Sequence, residues 1–509
     1  MNNNSGNNTR LIVSITILII TSMLMLDRLV PQGIFLDGVT YAAISRNLAI
    51  GKGSFWSLYY RGDWIFSEHP PLFFGIQAMF FKLFGDHYLT EKIYSFFIWV
   101  VTVILLKSLW NSTKTDTDKK YSYALPVVLW CLVPTVTWAY TNNILDSTMA
   151  VFDLAAVLIL YKTWSAKDER TAILPMTIAG ILIFAATLTK GPVGAFPLAV
   201  PGIYWLVFHL GDGKKFISAA VQTIFMLLVV VAWYFILYQF PEPRANFSRY
   251  FNEQLIAALS GRREITTGSM GRWLLLYELM MQMLVPVAIT VILIVTARLL
   301  KLSPLKQSGA GKNALFFLLL GVCASLPIMM SVKQRTFYLI PSLPYYVMAI
   351  ALLAYPYYLA ITERYKGGAN SLRYFKISAA VVSLALCVYL GTKVGQIGRD
   401  GELIKNMNYL ASKFPKGQVF GICAEADKDY NFLAYLQRYN QMEVNPVFYA
   451  TEYVLIDKRV CNSGIIPYIS RIGFRQEPLE MDNYELYRRR FPLKFDFTLL
   501  NPVYQTKGK

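Results

Sequence analysis

Eleven apolar runs punctuate this chain, near 11–30, 89–108, 121–141, 144–163, 171–189, 193–210, 216–239, 273–297, 314–331, 338–358 and 376–392. Each is close to the ~20 residues that a helix needs to cross about 30 Å of hydrocarbon, and a helix satisfies its own backbone polar groups there. Composition agrees: 55% of the residues are hydrophobic and 16% charged, whereas a soluble domain is about a quarter charged. The expected fold class is a polytopic α-helical membrane protein with about eleven transmembrane helices, in the range 11–13. The first run lacks a small-x-small cleavage site before Arg28, so it reads as a retained span rather than a signal peptide.

Orientation follows from the short loops. With a cytoplasmic N-terminus, the inside loops hold Lys114, Lys119 and Lys120, then Lys167 and Arg170, then Lys214 and Lys215, then Arg298, Lys301, Lys306 and Lys312, then Arg364, Lys366 and Arg373. Each is basic, as the positive-inside rule requires. The same parity places the 33–88 segment, the Asn142-Asn143 turn, the 240–272 loop and everything after 393 outside. Two domains are expected: a transmembrane domain over 1–393, with its first outer loop at 31–88, and an extracytoplasmic domain over 394–509.

That last domain reads as small and α/β. Residues 416–425 and 453–456 look like short buried strands, and 427–439 has helical spacing through Tyr430, Leu433, Ala434 and Leu436. Cys423 and Cys461 both lie here; an oxidising compartment permits them to pair, which spacing alone does not show.

The first outer loop concentrates candidate chemistry. Asp37 precedes a helical pattern carrying Tyr41, Ile44, Ser45 and Leu48, where an ordinary reading makes it an N-cap. Further on stands Glu68-His69-Pro70-Pro71-Leu72, whose prolines start a second helix running through Phe73, Phe74, Ile76, Met79 and Phe80 toward Gly85. The apolar bulk of this segment suits helices lying in the membrane interface. The ordinary reading of Glu68 and His69 is a solvated helix start.

Other polar positions gather at outer span ends: Asp146, Lys190 in Leu-Thr-Lys-Gly-Pro, and Lys333-Gln334-Arg335 before Tyr338. Ionisable groups at a membrane edge are costly enough to be functional candidates, although lysine there also snorkels. The 240–272 loop adds Arg244, Arg249, Arg262, Arg263 and Arg272. Outer cations beside carboxylates imply an anionic ligand near the bilayer surface.

Five motifs in order carry a family resemblance: Asp37-Gly-x-x-Tyr41, Glu68-His-Pro-Pro-Leu, Asn143-x-x-Leu-Asp-Ser-x-Met149, Leu188-Thr-Lys-Gly-Pro and Lys333-x-Arg-x-x-Tyr-Leu-x-Pro341. Together, over roughly 10–360, the chain resembles the bacterial aminoarabinose transferase and protein O-mannosyltransferase-like group of membrane glycosyltransferases, the C-type superfamily. The resemblance implies a polyprenyl-phosphate sugar donor and a lipid (lipid A-like), glycan or protein acceptor at the outer face of a bacterial inner membrane. It makes Asp37 catalytic and assigns the donor phosphate to His69, Lys190, Arg262, Arg263, Lys333 and Arg335. Tyr41 and Tyr338 position substrate, and Glu68 with Asp146 stand where a carboxylate pair holds a divalent Zn, Mg or Mn. The aminoarabinose enzymes usually read Asp-Glu-x-Arg-Tyr and Glu-Lys-Pro-Pro, so Gly38, Thr40 and His69 depart from the pattern and leave sugar and acceptor open. The C-terminal domain matches nothing in the group.

The chemistry coheres without the name. Cleaving a sugar–phosphate bond leaves charge on the lipid phosphate, which calls for cations, and the attacking hydroxyl must give up a proton to a carboxylate. Nucleotide sites are not expected: Asp116-Thr117-Asp118 lies in a short basic loop, and Gly309-Ala-Gly-Lys-Asn313 lacks the first glycine and the Ser or Thr of a phosphate loop. His87 and His209 read as interfacial. No nucleic-acid partner is implied; membrane lipids are. The competing class is a transporter or flippase of a lipid-linked anion, favoured by Asp153 inside the fourth span but not by any internal repeat.

Overall fold

The computed structural model describes residues 3–113 apart from 63, 122–166, 173–257, 260, 268–305, 309–331, 333–364 and 369–490. Among them, eight helices are long and apolar enough to cross a membrane: Asn8–Leu29, Tyr88–Ser112, Ile173–Lys190, Gly213–Tyr238, Met270–Leu299, Ala310–Met330, Leu343–Arg364 and Leu372–Lys393. The other three apolar runs are also helical but fall short of that description. Run 121–141 breaks into Ala124–Cys131 and Pro134–Thr141, bent by 76°, because Pro134 lacks an amide and opens a new helix at its first turn. Run 144–163 is the 21-residue helix Leu145–Ser165, which carries Asp146, Asp153 and Lys162. Run 193–210 begins as the 3-10 turn Pro192–Ala199 and continues as Val200–Phe208, with prolines 192, 197 and 201 preventing a single regular helix. The expected count of eleven is not confirmed: among the described residues eight helices pass by length and composition, or nine if the bent pair is one span.

The two ends of the bundle are distinguishable. Arg10 pairs with Glu363 at 2.9 Å near the start of the first helix. At its other end Tyr389 Oη donates to Asp27 at 2.7 Å, and Gln32 bridges to Ile397. The chain after 393 thus continues from the end of the bundle opposite the N-terminal start.

Two helices matter most for the site: α1, Leu36–Ala49, and α2, Leu72–Phe84, joined by the two-stranded β1–β2 ribbon, Leu58–Tyr59 with Ile65–Phe66. Helix α2 stops at Gly85 with φ 80, as its glycine predicts. The C-terminal region forms a five-stranded sheet: β3 Val419–Gly421, β4 Glu443–Asn445, β5 Tyr453–Asp457, β6 Phe474–Glu477 and β7 Tyr484–Arg489, in spatial order β4-β3-β5-β7-β6. Strand β3 lies parallel to β4 and β5, while β7 runs antiparallel to β5 and β6. Helix α3, Tyr430–Asn440, packs on the sheet, close to the expected 427–439. The Cys423–Cys461 disulfide is formed, joining the ends of β3 and β5. The core of this region holds Phe420, Phe432, Leu433 and Leu455, and it also takes in Ile34 and Val39 from the first loop. The helix bearing Asp37 is therefore shared between bundle and C-terminal sheet.

Candidate active site

Asp37 sits in the first turn of α1, where a carboxylate meets the positive end of the helix dipole. It is not the N-cap: that position is Phe35, and no side chain caps the helix. The ordinary reading of Asp37 is therefore corrected, and the residue needs another reason to be there. Gly38 supplies part of it. A Cβ at 38 would meet Asn142 O at 2.0 Å, so the Asn142-Asn143 turn lies directly on the helix start. Asn143, at φ 56, donates through Nδ2 to Gly38 O at 3.0 Å and accepts from Gln77 Nε2 at 2.6 Å. The Phe35 N–H donates to Asn142 Oδ1 at 2.7 Å. Side chains of this turn thus brace the backbone at the helix start. The departure from the Asp-Glu pattern at 38 has a steric cause: a glutamate there would collide with backbone.

Burial, chiefly, pushes the Asp37 carboxyl up to about 6; Glu68 raises it further, while Lys333, Arg335 and Lys190 pull it down. Those five residues, scattered from 37 to 335 in the chain, are therefore within charge–charge reach of one another's site. Tyr41, one helical turn beyond Asp37, points the same way. Its Oη is 3.0 Å from His69 Nε2, with the rings edge to face. Burial first, then Asp37, Asp146 and Glu68, hold its hydroxyl well above the usual phenol range, so it stays a neutral hydrogen-bond donor.

Lys190 does not snorkel. Its ammonium bonds Asp146 and lies 4.0 Å over the Tyr338 ring and 5.9 Å from Phe337. The turn behind it is fixed by Tyr250, whose Oη donates to Lys190 O at 3.0 Å and closes on Gly191. Lys333 is half-buried, while Arg335 and Glu68 are exposed. Between the two cations, Gln334 is locked: its Oε1 accepts from Leu275 N at 3.0 Å and its Nε2 donates to Arg272 O at 3.2 Å. Packing the middle residue inward turns its neighbours outward.

The 240–257 stretch covers this end of the first loop. Ser54 and Ser67 hydroxyls donate to Glu242 and Glu253 at 2.9 and 2.8 Å, and Asn246 Nδ2 donates to Trp56 O at 3.0 Å. Arg262 and Arg263 lie outside the described residues, as does Asp116-Thr117-Asp118. His87 is the N-cap of Tyr88–Ser112, accepting from Leu89 N at 3.2 Å, and His209 ends Val200–Phe208 beside the Tyr204 ring. Among the described residues, no group of three or more His, Cys, Asp or Glu is gathered as a metal would need. Asp146 is moreover bound to Lys190.

Sequence reasoning missed the Asn142-Asn143 brace and a buried charge cluster at the C-terminal contact. There Arg46 bonds Asp86 at 3.2 Å and Gln437 O at 2.7 Å, and Arg438 bonds Asp86 and Glu91, each at 2.7 Å. The signal for the cluster was one charged residue, Arg46, on an otherwise apolar helix face.

Residues 68–236 match the family described as dolichyl-phosphate-mannose-protein mannosyltransferase. The fold is similar to that of ArnT from Cupriavidus metallidurans bound to undecaprenyl phosphate, with a TM-score of 0.63 at 14% identity over 93% of this chain and 97% of that one. ArnT in the apo state gives 0.61 at 14% identity, over 94% and 97%. No curated protein sequence matches the chain. The stretch matched by the family contains three of the five motifs, at 68–72, 143–149 and 188–192, while those at 37–41 and 333–341 lie outside it.

Proposed function

We propose that this chain is an integral-membrane glycosyltransferase that moves a sugar from a polyprenyl-phosphate donor to an acceptor hydroxyl or phosphate at the outer face of a bacterial inner membrane. The observation that carries it is the convergence of one half-buried carboxyl, Asp37, with Lys190, Lys333 and Arg335 at a single end of the bundle. Asp37 takes the acceptor proton as the acceptor oxygen attacks the anomeric carbon. The bond from that carbon to the phosphate oxygen breaks, and the polyprenyl phosphate leaves with its added negative charge facing the cations. A carboxyl with a pKa near 6 is a stronger base than an ordinary aspartate yet ionised at neutral pH. His69, held by Tyr41, and Tyr338, beside Lys190, flank the space where donor phosphate and sugar would lie. The similar ArnT structure bound to undecaprenyl phosphate supports a lipid-phosphate ligand for this fold.

A divalent ion on Glu68 and Asp146 does not fit, because Asp146 is committed to Lys190 and the described residues assemble no third ligand; the reaction is written without a metal step. Sugar type, hexosyl or pentosyl, and acceptor, whether lipid A-like lipid, glycan or protein, are set by surfaces that the motifs do not encode.

Asp153 favours the flippase reading, since both its carboxylate oxygens are buried without a hydrogen-bond partner. It lies two helical turns from Asp146 on the helix Leu145–Ser165. Comparing surface glycolipids and glycoproteins with and without the gene tests the proposal. A sugar lost from one class while lipid-linked donor accumulates on the outer face supports transfer, whereas the same loss with the donor trapped on the inner face would support the flippase.

A further inference from the structure

The backbone leading into Asp37 is held by the C-terminal region. Gln32 N donates to Gln396 O at 2.8 Å and Gly398 N to Gln32 O at 2.9 Å, so the two segments pair like strands. Gly33 follows at φ 100, and a Cβ there would strike Arg399 O at 2.5 Å. Its carbonyl accepts from Lys92 Nζ at 3.0 Å. Next comes Ile34, buried in the core of the C-terminal sheet, and its two backbone groups meet one side chain. The Tyr435 hydroxyl accepts from Ile34 N at 3.2 Å and stands 2.9 Å from Ile34 O and 2.8 Å from Asp400 Oδ2, sharing its single proton between those acceptors. Phe35 and the first turn of α1, with Asp37, begin immediately after.

We propose that Tyr435 is a positioning residue: by clamping Ile34 it fixes the entry of α1 and keeps Asp37 aimed at the donor, which makes the C-terminal region a working part of the site. The inference rests on the glycosyl-transfer reading. Its physical basis is that a small misplacement of a base costs far more in turnover than in binding, because the proton must move at hydrogen-bond distance. Tyr435 lies at the centre of α3, fully buried, where packing alone would be served as well by phenylalanine. Its hydroxyl is what reaches Ile34.

The test is Tyr435→Phe in the full-length protein, which keeps the ring stacked on Tyr439 and removes the clamp. Expected are a kcat lower by about tenfold or more, a donor KM within about twofold of the parent, and faster amide exchange confined to the peptide spanning 33–39. Asp400→Asn is the milder companion: it tolerates the left-handed backbone at φ 52, weakens the hydroxyl's acceptor, and should give a smaller kcat loss with the same KM. Asp427→Asn is the control, since it breaks the Arg61 bridge at the same domain contact without touching Ile34, and should leave kcat unchanged. Unchanged kcat and exchange in Tyr435→Phe overturn the proposal, as does an equal kcat loss in Asp427→Asn. If Tyr435→Phe fails to fold, an unchanged kcat in Asp400→Asn overturns it instead. Absence of transfer in the parent protein would instead strike the glycosyl-transfer reading, and the exchange result then decides alone whether Tyr435 holds the segment.

Discussion

Asp146–Lys190 and the cluster of Arg46, Asp86, Glu91 and Arg438 are both nearly closed to solvent, yet their hydrogen bonding differs. In the cluster, two guanidiniums meet two carboxylates and also donate to the carbonyls of Gln437 and His87, with Arg438 over Phe81. Planar forked donors matched to carboxylates and carbonyls tie the segments together, although Glu91 Oε1 and Arg438 Nε stay buried without a hydrogen-bond partner. In the pair, a lysine with three donors gives one to Asp146, rests on the Tyr338 ring, and lies in charge reach of Asp37. Charge bonded to several groups across two segments builds the domain contact; buried charge bonded once, among aromatic rings and beside further cations, stands at the candidate site.

Breaking the cluster should have the largest effect on stability. Arg438→Ala leaves the fully buried Glu91 without its partner, while Asp86 keeps Arg46; stranding a buried carboxylate costs about 3–5 kcal/mol, and the expected result is poor yield or a markedly lower melting temperature in detergent. A well-folded, fully active Arg438→Ala protein would show that the cluster is dispensable and erase the contrast.

The pair should instead report on ligand. Removing both charges in Lys190→Ala/Asp146→Ala avoids stranding a carboxylate, so folding should persist. Affinity for polyprenyl phosphate should fall by about 1.5–3 kcal/mol, the worth of a charge-assisted bond, or roughly 10- to 100-fold. Equal binding in parent and variant would class Lys190 with the structural charges. By comparison, Asp427→Asn at the half-buried Arg61 bridge should change stability by no more than about 1 kcal/mol, a difference visible in a thermal melt as a small shift or none.

The smallest expected effects are shifts in pH dependence. With Asp37 near 6, kcat/KM should rise with pH through about 6 and level off above it as the base ionises. Glu68→Gln removes a neighbour that raises Asp37 and should move this limb to lower pH; Lys333→Ala removes one that lowers it and should move the limb up. The sign for stability is opposite to that for activity: a carboxyl raised above its unfolded value of 3.8 favours folding fully below about 4, and that contribution is lost as pH rises through about 6. Limbs that coincide in all three proteins would remove Asp37 as the titrating base.

How much of this was legible in the sequence varies with the physics of each element. Spans were readable because hydrocarbon thickness dictates length, and the runs that fell short are those interrupted near prolines 134, 192, 197 and 201 or made less apolar by Asp146 and Asp153. Helix α3 and strand β5 followed from periodicity, whereas β6 and β7, with charged residues on exposed positions such as Arg475 and Arg488, carried no apolar run to find. Asp37, Glu68, Lys190, Lys333 and Arg335 were recognised because charge at a membrane edge is costly. Gly38 was seen only as a departure, since its reason is the carbonyl of a residue more than a hundred positions away. The same holds for Tyr435, whose role depends on a contact with Ile34 that neither local pattern announces.

The central claim is that Asp37 is the base of a glycosyl transfer. Asp37→Asn preserves the shape and, because Asp37 caps nothing, the start of α1, while removing proton acceptance. Steady-state transfer from a polyprenyl-phosphate sugar should fall by about 10²-fold or more in the purified variant, with polyprenyl-phosphate binding and melting temperature retained. Turnover equal to the parent's would contradict the account.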